Sequence, residues 1–316
     1  MFNTVFDAWS SLAFPWNDMP VQPTARSRFT YGFHEEGGRA LRYRLFIPHG
    51  ERDQPMPLVV MLHGCGQDAA DFAVGTGMNA LAEEHACMVL YPEQPCSAHW
   101  NRCWNWYEPT HHRRGAGEPA LLAGLTRRIM AEHAVDPARV AVAGLSAGGA
   151  MAVILGRTYP DLFSAVGCHS GLAHGSASCD ASAMLAMRNG PDPSAPAPPR
   201  THAVVPVIVF HGDADATVHR ANGSGVVRQS LDNHAVHRQS ADAGVAMVAE
   251  TGRAGGRAFT RHVHREARGG VLAEQWTVHG AGHAWSGGDL RGSHADTLGP
   301  NASEEMLRFF FGRPAS

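Results

Sequence analysis

Gly144-Leu145-Ser146-Ala147-Gly148 sets a serine between two glycines, after an apolar strand-like run over 140–143 and before a helix-compatible segment. Such a string is a nucleophile elbow, a sharp strand-to-helix turn that pushes a hydroxyl out of a sheet; its neighbours must be small because strand and helix pass close together. The same turn aims the Ala147 N–H, at a helix N-terminus, at the place where an oxyanion would form. A second amide donor is expected in the loop after an upstream strand. There His63-Gly64-Cys65-Gly66-Gln67 follows the continuous apolar run 57–62, and Cys65 N–H is the donor chosen. A nucleophilic serine of this type needs an acid and then a histidine after it in chain order. Asp213 and Asp215 both follow the apolar run 204–210. Asp215 is favoured as the one with the reach to meet a histidine, and Asp213 is read as a turn residue. Among 20 histidines, His283 stands out in a glycine-rich loop after the last strand, with His279 at the strand end as second choice.

These side chains require a sheet whose strand ends share one edge. Apolar runs alternate with helical patterns along most of the chain, which predicts an α/β fold. The expected architecture is an α/β-hydrolase with a mostly parallel central sheet, helices on both faces and no separate lid domain. Helices are expected over 71–85, 119–133, 225–233 and 301–311, with strands over 87–91, 163–168 and 204–210. A terminal hairpin-like pair is expected over 259–264 and 271–278, and a Pro-rich loop over 190–199. Residues 1–38 read as an N-terminal arm whose Trp9, Phe14 and Trp16 pack on the body, and residues 39–316 as one catalytic domain. The polar and aromatic segment 101–107 lies on the edge where open parallel sheets bind ligands. Trp104, Trp106 and, beside His283, Trp285 are therefore expected to contact substrate.

With 316 residues and 44% hydrophobic content, the chain can bury one large core. A net charge of −3 with 17% charged residues implies no nucleic-acid partner, although all 26 basic residues are arginine. No window is apolar enough for a membrane span, and the first residues lack a positive start. The chain thus reads as cytoplasmic as written, and as secreted if a leader has been removed. The six cysteines show no metal-type spacing, so no metal is expected. Cys65 and Cys103 lie in loops expected to converge, which admits a bridge; Cys168 and Cys179 form a second, weaker candidate pair. The oligomeric state is open, a homodimer included.

Five separated motifs, in one order, resemble the polyhydroxybutyrate depolymerase family of esterases. They are Leu62-His-Gly-Cys-Gly-Gln67, Cys103-Trp-Asn-Trp106, Gly144-Leu-Ser-Ala-Gly-Gly-Ala-Met151, His211-Gly-Asp-Ala-Asp-Ala-Thr-Val218 and Gly280-Ala-Gly-His-Ala-Trp-Ser-Gly-Gly288. The resemblance runs over about 41–311. It implies a serine esterase without cofactor, with Ser146, Asp215 and His283 as triad, the Cys65 and Ala147 amides as oxyanion hole, and a tryptophan near Cys103 at the site. The implied partner is a polyester or other polymer, or its oligomers, with 3-hydroxybutyrate esters first. Poly(aspartic acid)-type amide cleavage and feruloyl or acetyl-xylan ester cleavage are alternatives on the same triad, the former suggested by a wholly arginine set of cations. A non-catalytic binding module that kept the fold is the alternative of a different class.

Overall fold

The computed structural model describes residues 27–50, 54–192, 203–237, 244–267 and 269–312. The chain begins with an antiparallel pair, β1 (Arg28–Glu36) and β2 (Arg39–Ile47), followed by β3 (Met56–Leu62). Helices α1 (Ala69–Thr76) and α2 (Met78–Glu84) lead to β4 (Met88–Glu93). Next come α3 (Gly117–Glu132), β5 (Val135–Leu145), α4 (Ala147–Thr158), β6 (Ala165–His169) and α5 (Asp180–Asn189). The chain continues through β7 (Val207–Gly212), α6 (Ala221–His237), β8 (Val245–Ala254), β9 (Arg257–Glu266) and β10 (Val271–Val278). The short parallel pair β11 (Trp285–Ser286) and β12 (Ala295–Asp296) precedes α7 (Ala302–Phe311).

Ten strands form one sheet in the order β1-β2-β4-β3-β5-β6-β7-β10-β9-β8. Its centre, from β4 through β10, is parallel, and antiparallel β1-β2 and β9-β8 flank it. The period of two along β3 shows why the middle is apolar throughout. Leu58, Val60 and Leu62 enter the core under α3, α4 and α6, while Val59 and Met61 enter the opposite core under α1, α2 and α7. Both faces are covered, so every residue of the strand from Pro57 to Leu62 is buried, and the parallel strand ends all point to one edge.

Three expectations change. The sheet starts at Arg28, inside the expected arm of 1–38, because 28–36 pairs along its length with β2; residues 1–26, with the arm's tryptophans, lie outside the described residues. The helix expected over 71–85 is two helices, because Gly77 takes a left-handed φ of 61° and its N–H closes on Val74 O. The segment 245–254, unassigned from sequence, is β8. Most of the Pro-rich loop lies outside the described residues.

Candidate active site

Ser146 stands between β5 and α4 with φ 58° and ψ −120°, a strained backbone for a residue with a Cβ. What holds it is close packing of backbone on backbone. A Cβ on Gly148 would lie 2.1 Å from Leu62 O, and one on Gly144 2.4 Å from Gly148 C, so neither glycine can carry a side chain without moving the strands. Ser146 N–H donates to His169 O at the end of β6 (2.8 Å), which docks the turn onto the neighbouring strand.

Asp215 follows β7 and His283 follows β10, so both leave the sheet at the edge that carries Ser146. His283 Nδ1 donates to Asp215 Oδ2 at 2.7 Å, and the carboxylate is fully buried. Asp215 Oδ1 accepts the amides of Thr217 (2.9 Å) and Val218 (2.8 Å), and His211 Nε2 lies 3.4 Å from Oδ2. Burial alone would raise the Asp215 pKa. The hydrogen bonds from His211 and His283, the His283 charge and the Val218 amide outweigh it and hold the carboxyl well below the usual range. Asp215 is therefore a carboxylate at neutral pH. It fixes the His283 proton on Nδ1, and Nε2, with no hydrogen-bond partner among the described residues, keeps a free lone pair.

The rivals from sequence meet each other. His279 Nδ1 donates to Asp213 Oδ2 (2.7 Å), and Asp213 Oδ1 accepts Gly280 N–H (2.7 Å). With Nδ1 protonated, His279 Nε2 accepts from the Thr260 hydroxyl (2.9 Å), so both ring nitrogens are occupied. This pair clamps the ends of two loops and has no nitrogen left for proton transfer.

In the loop after β3, the amides of Gly64, Gly66 and Gln67 donate to Gln67 Oε1, Asn101 O and Gly64 O. The Cys65 amide, like that of Ala147 at the start of α4, has no hydrogen-bond partner among the described residues. Both are thus available to an oxyanion. Cys65 is bridged to Cys103, with the two Cα atoms 4.2 Å apart, which ties this loop to the segment before Trp104. The second expected pair does not form: Cys168 is buried, Cys179 is exposed, and both are free thiols.

The three tryptophans expected to contact substrate are buried instead: Trp104 is 0%, Trp106 5% and Trp285 1% exposed. Trp104 Nε1 donates to His63 O (3.1 Å), from beneath the loop that holds Cys65. Trp285 Nε1 donates to Ser303 Oγ (3.0 Å), and its ring stacks on His169 at 5.1 Å. The indole N–H groups of Trp104 and Trp285 are satisfied inside the fold, and all three rings are buried, so they support the site's loops and offer little or no face to a ligand.

Sequence reasoning missed His169 and Glu118. His169 is buried and its Nε2 accepts Ser286 N–H (3.0 Å), linking the strand beside Ser146 to the loop of His283; burial pushes its pKa down to about 3. Glu118 is buried and accepts from Gln94 Nε2 (2.6 Å), Asn105 N (2.9 Å) and Asn105 Nδ2 (2.6 Å), which pins the tryptophan loop. The only signal for His169 was its place at the end of an apolar strand; a lone glutamate in an amphipathic helix gives none. Among the described residues, no group of three or more His, Cys, Asp or Glu is arranged to hold a metal ion, and no helix is long and apolar enough to cross a membrane.

The poly(3-hydroxyalkanoate) depolymerase C of Paucimonas lemoignei is 34% identical to this chain over 240 residues, 72% of this chain and 54% of that protein. The poly(3-hydroxybutyrate) depolymerase of Ralstonia pickettii is 33% identical over 50% of this chain and 35% of its own length. The chain thus spans about half or less of the length of these curated relatives. The solved acetyl xylan esterase from Aspergillus awamori superposes with a TM-score of 0.60 at 16% identity, covering 86% of this chain and 94% of that one, which establishes a shared α/β-hydrolase fold. The Esterase PHB depolymerase family model matches residues 41–252, a stretch that holds Ser146 and Asp215, and the chain belongs to that family.

Proposed function

We propose that the chain is a serine esterase that cleaves short-chain polyhydroxyalkanoate, 3-hydroxybutyrate polymer or oligomers, through an acyl-enzyme. The observation that carries this is the buried Asp215–His283 pair, with its open Nε2, on the sheet edge that bears Ser146. Ser146 Oγ bonds to the ester carbonyl carbon while its proton passes to His283 Nε2, and Asp215 stabilises the imidazolium. The Cys65 and Ala147 amides receive the oxyanion; loss of one such donor costs about 100- to 1,000-fold in kcat in other serine hydrolases. The leaving hydroxyl takes the proton from His283. Water, deprotonated by His283, then attacks the acyl carbon and restores Ser146.

The polyester preference is supported by the two depolymerase relatives. An oxidising compartment is part of the same proposal, supported by the Cys65–Cys103 bridge, since such bonds are rare where thiols are kept reduced. The test is parallel incubation with 3-hydroxybutyrate oligomers, poly(aspartic acid) and a feruloylated sugar, with products identified by mass. Release of 3-hydroxybutyrate by the native chain, and none by Ser146→Ala, is expected. Turnover undiminished in Ser146→Ala, or cleavage confined to either of the other two substrates, contradicts it.

A further inference from the structure

Gln67 is 2% exposed and sits at the end of the loop that presents the Cys65 amide. Its Oε1 accepts Gly64 N–H at 2.9 Å. Its Nε2 donates to Asp71 Oδ2 at 2.9 Å and to Ser293 O at 3.0 Å, with Ser293 Oγ at 3.2 Å. The carboxamide can stand only one way round. Flipping it would set its NH2 against Gly64 N–H and its oxygen against the Asp71 carboxylate and the Ser293 carbonyl, two repulsions in a buried place.

The far anchor belongs to the other half of the site. Asp71 Oδ1 accepts Ser293 N–H (2.8 Å), and the neighbouring His294 O accepts Trp285 N–H (2.7 Å), two residues after His283. A single side chain therefore joins the loop after β3 to the loop after β10, 226 residues apart. Within the first loop, Gln67 Oε1 takes the Gly64 amide, Asn101 O that of Gly66 and Gly64 O that of Gln67, while Cys65 N–H has no hydrogen-bond partner among the described residues.

We infer that Gln67 is a positioning residue of this site: its carboxamide sets the direction of the Cys65 amide and locks the oxyanion loop to the loop that carries His283. This rests on the serine esterase reading above. An amide aimed at a developing oxyanion acts on the transition state more than on bound ester, so its misalignment lowers kcat rather than raising KM.

The experiment compares the native chain with Gln67→Met, which keeps length and removes both polar ends, on p-nitrophenyl butyrate. Active sites are counted by fluorophosphonate labelling at Ser146. Expected are a loss of at least tenfold, nearer 100-fold, in kcat per labelled site, KM within about twofold, and weaker binding of a boronic acid transition-state mimic by the factor lost in kcat/KM. Less than a tenfold loss per labelled site, or a loss confined to KM or to the number of labelled sites, overturns the inference. If Gln67→Met does not fold, Asp71→Asn, which keeps the shape of the anchor but removes the charge that orients Nε2, is judged by the same criteria. A native chain that is not labelled at Ser146 sinks the esterase reading itself, a result distinct from an unchanged Gln67→Met.

Discussion

Two aspartate–histidine pairs, Asp213–His279 and Asp215–His283, leave the same two strands and have the same Nδ1–carboxylate distance of 2.7 Å. Distance does not separate them; surroundings do. The side chains of Asp215 and His283 are 0% and 13% exposed, those of Asp213 and His279 24% and 41%. His283 keeps a free Nε2, whereas Thr260 occupies that of His279. A buried carboxylate acts on its partner in a low dielectric and sets tautomer and charge strongly; a half-wet pair is screened and serves as a loop clamp.

The largest expected effect therefore separates the acids. Asp215→Asn should lower kcat on p-nitrophenyl butyrate about 10,000-fold, as loss of a buried triad aspartate does elsewhere, by favouring the wrong His283 tautomer. Asp213→Asn should leave it within about tenfold, its cost appearing as loop disorder and a modest loss of stability of about 1 kcal/mol or less. Steady-state kinetics of the two variants, side by side, checks this; equal losses would erase the distinction.

The next effect concerns the loop opposite the pairs. Opening the bridge, which joins cysteines 38 positions apart in sequence, should cost about 4 kcal/mol on the chain-entropy account. Cys65→Ser with Cys103→Ser, or a strong reductant, should lower the urea midpoint and reduce kcat. An unchanged midpoint would mean the bridge does not constrain the oxyanion loop.

A comparable effect follows from pH. Burial pushes the pKa of His63 down to about 4 and those of His169 and His174 down to about 3. These groups are neutral in the fold and take up protons near pH 6.5 when unfolded. Their stabilisation is thus complete above about 6.5 and is lost as pH falls towards 4, at about 1.4 kcal/mol per pH unit for each group. Chemical denaturation at pH 7, 6 and 5 should show a steep decline through this window, and a flat profile would contradict it.

The smallest expected effect is on the tryptophans. Trp285→Phe removes the indole donor to Ser303 while keeping most of the ring packing on His169, so a loss of about 1–3 kcal/mol in stability is expected with KM near the native value. A large rise in KM with unchanged stability would return Trp285 to the substrate face.

What could be read from sequence was what backbone geometry dictates. The Ser146 turn was legible because only glycine fits at 144 and 148, where a Cβ would strike main-chain atoms. His283 was separable by its glycine-rich loop. Reach, the sequence argument for Asp215 over Asp213, does not distinguish them, since Asp213, read as a turn residue, meets His279 at the same 2.7 Å; the burial that sets the two pairs apart is tertiary and has no local signature. The tryptophans were misjudged because residue type in an irregular loop does not say which way the ring turns; the partners that bury Trp104 and Trp285, His63 and Ser303, are distant in sequence. Strand β8 was missed because it is exposed along nearly its whole length and shows no alternation. The Gln67 and His169 links join residues more than 100 positions apart, and no local pattern encodes such a contact.

The central claim is that Ser146 is activated by the buried pair and not by the exposed one. Its most direct test is the rate at which a fluorophosphonate modifies Ser146, followed by intact mass and peptide mapping, in the native chain, His279→Ala and His283→Ala. The account predicts near-native labelling in His279→Ala and a loss of at least 1,000-fold in His283→Ala, in line with the non-additive collapse seen when a triad base is removed. Rapid labelling in His283→Ala with slow labelling in His279→Ala would contradict it.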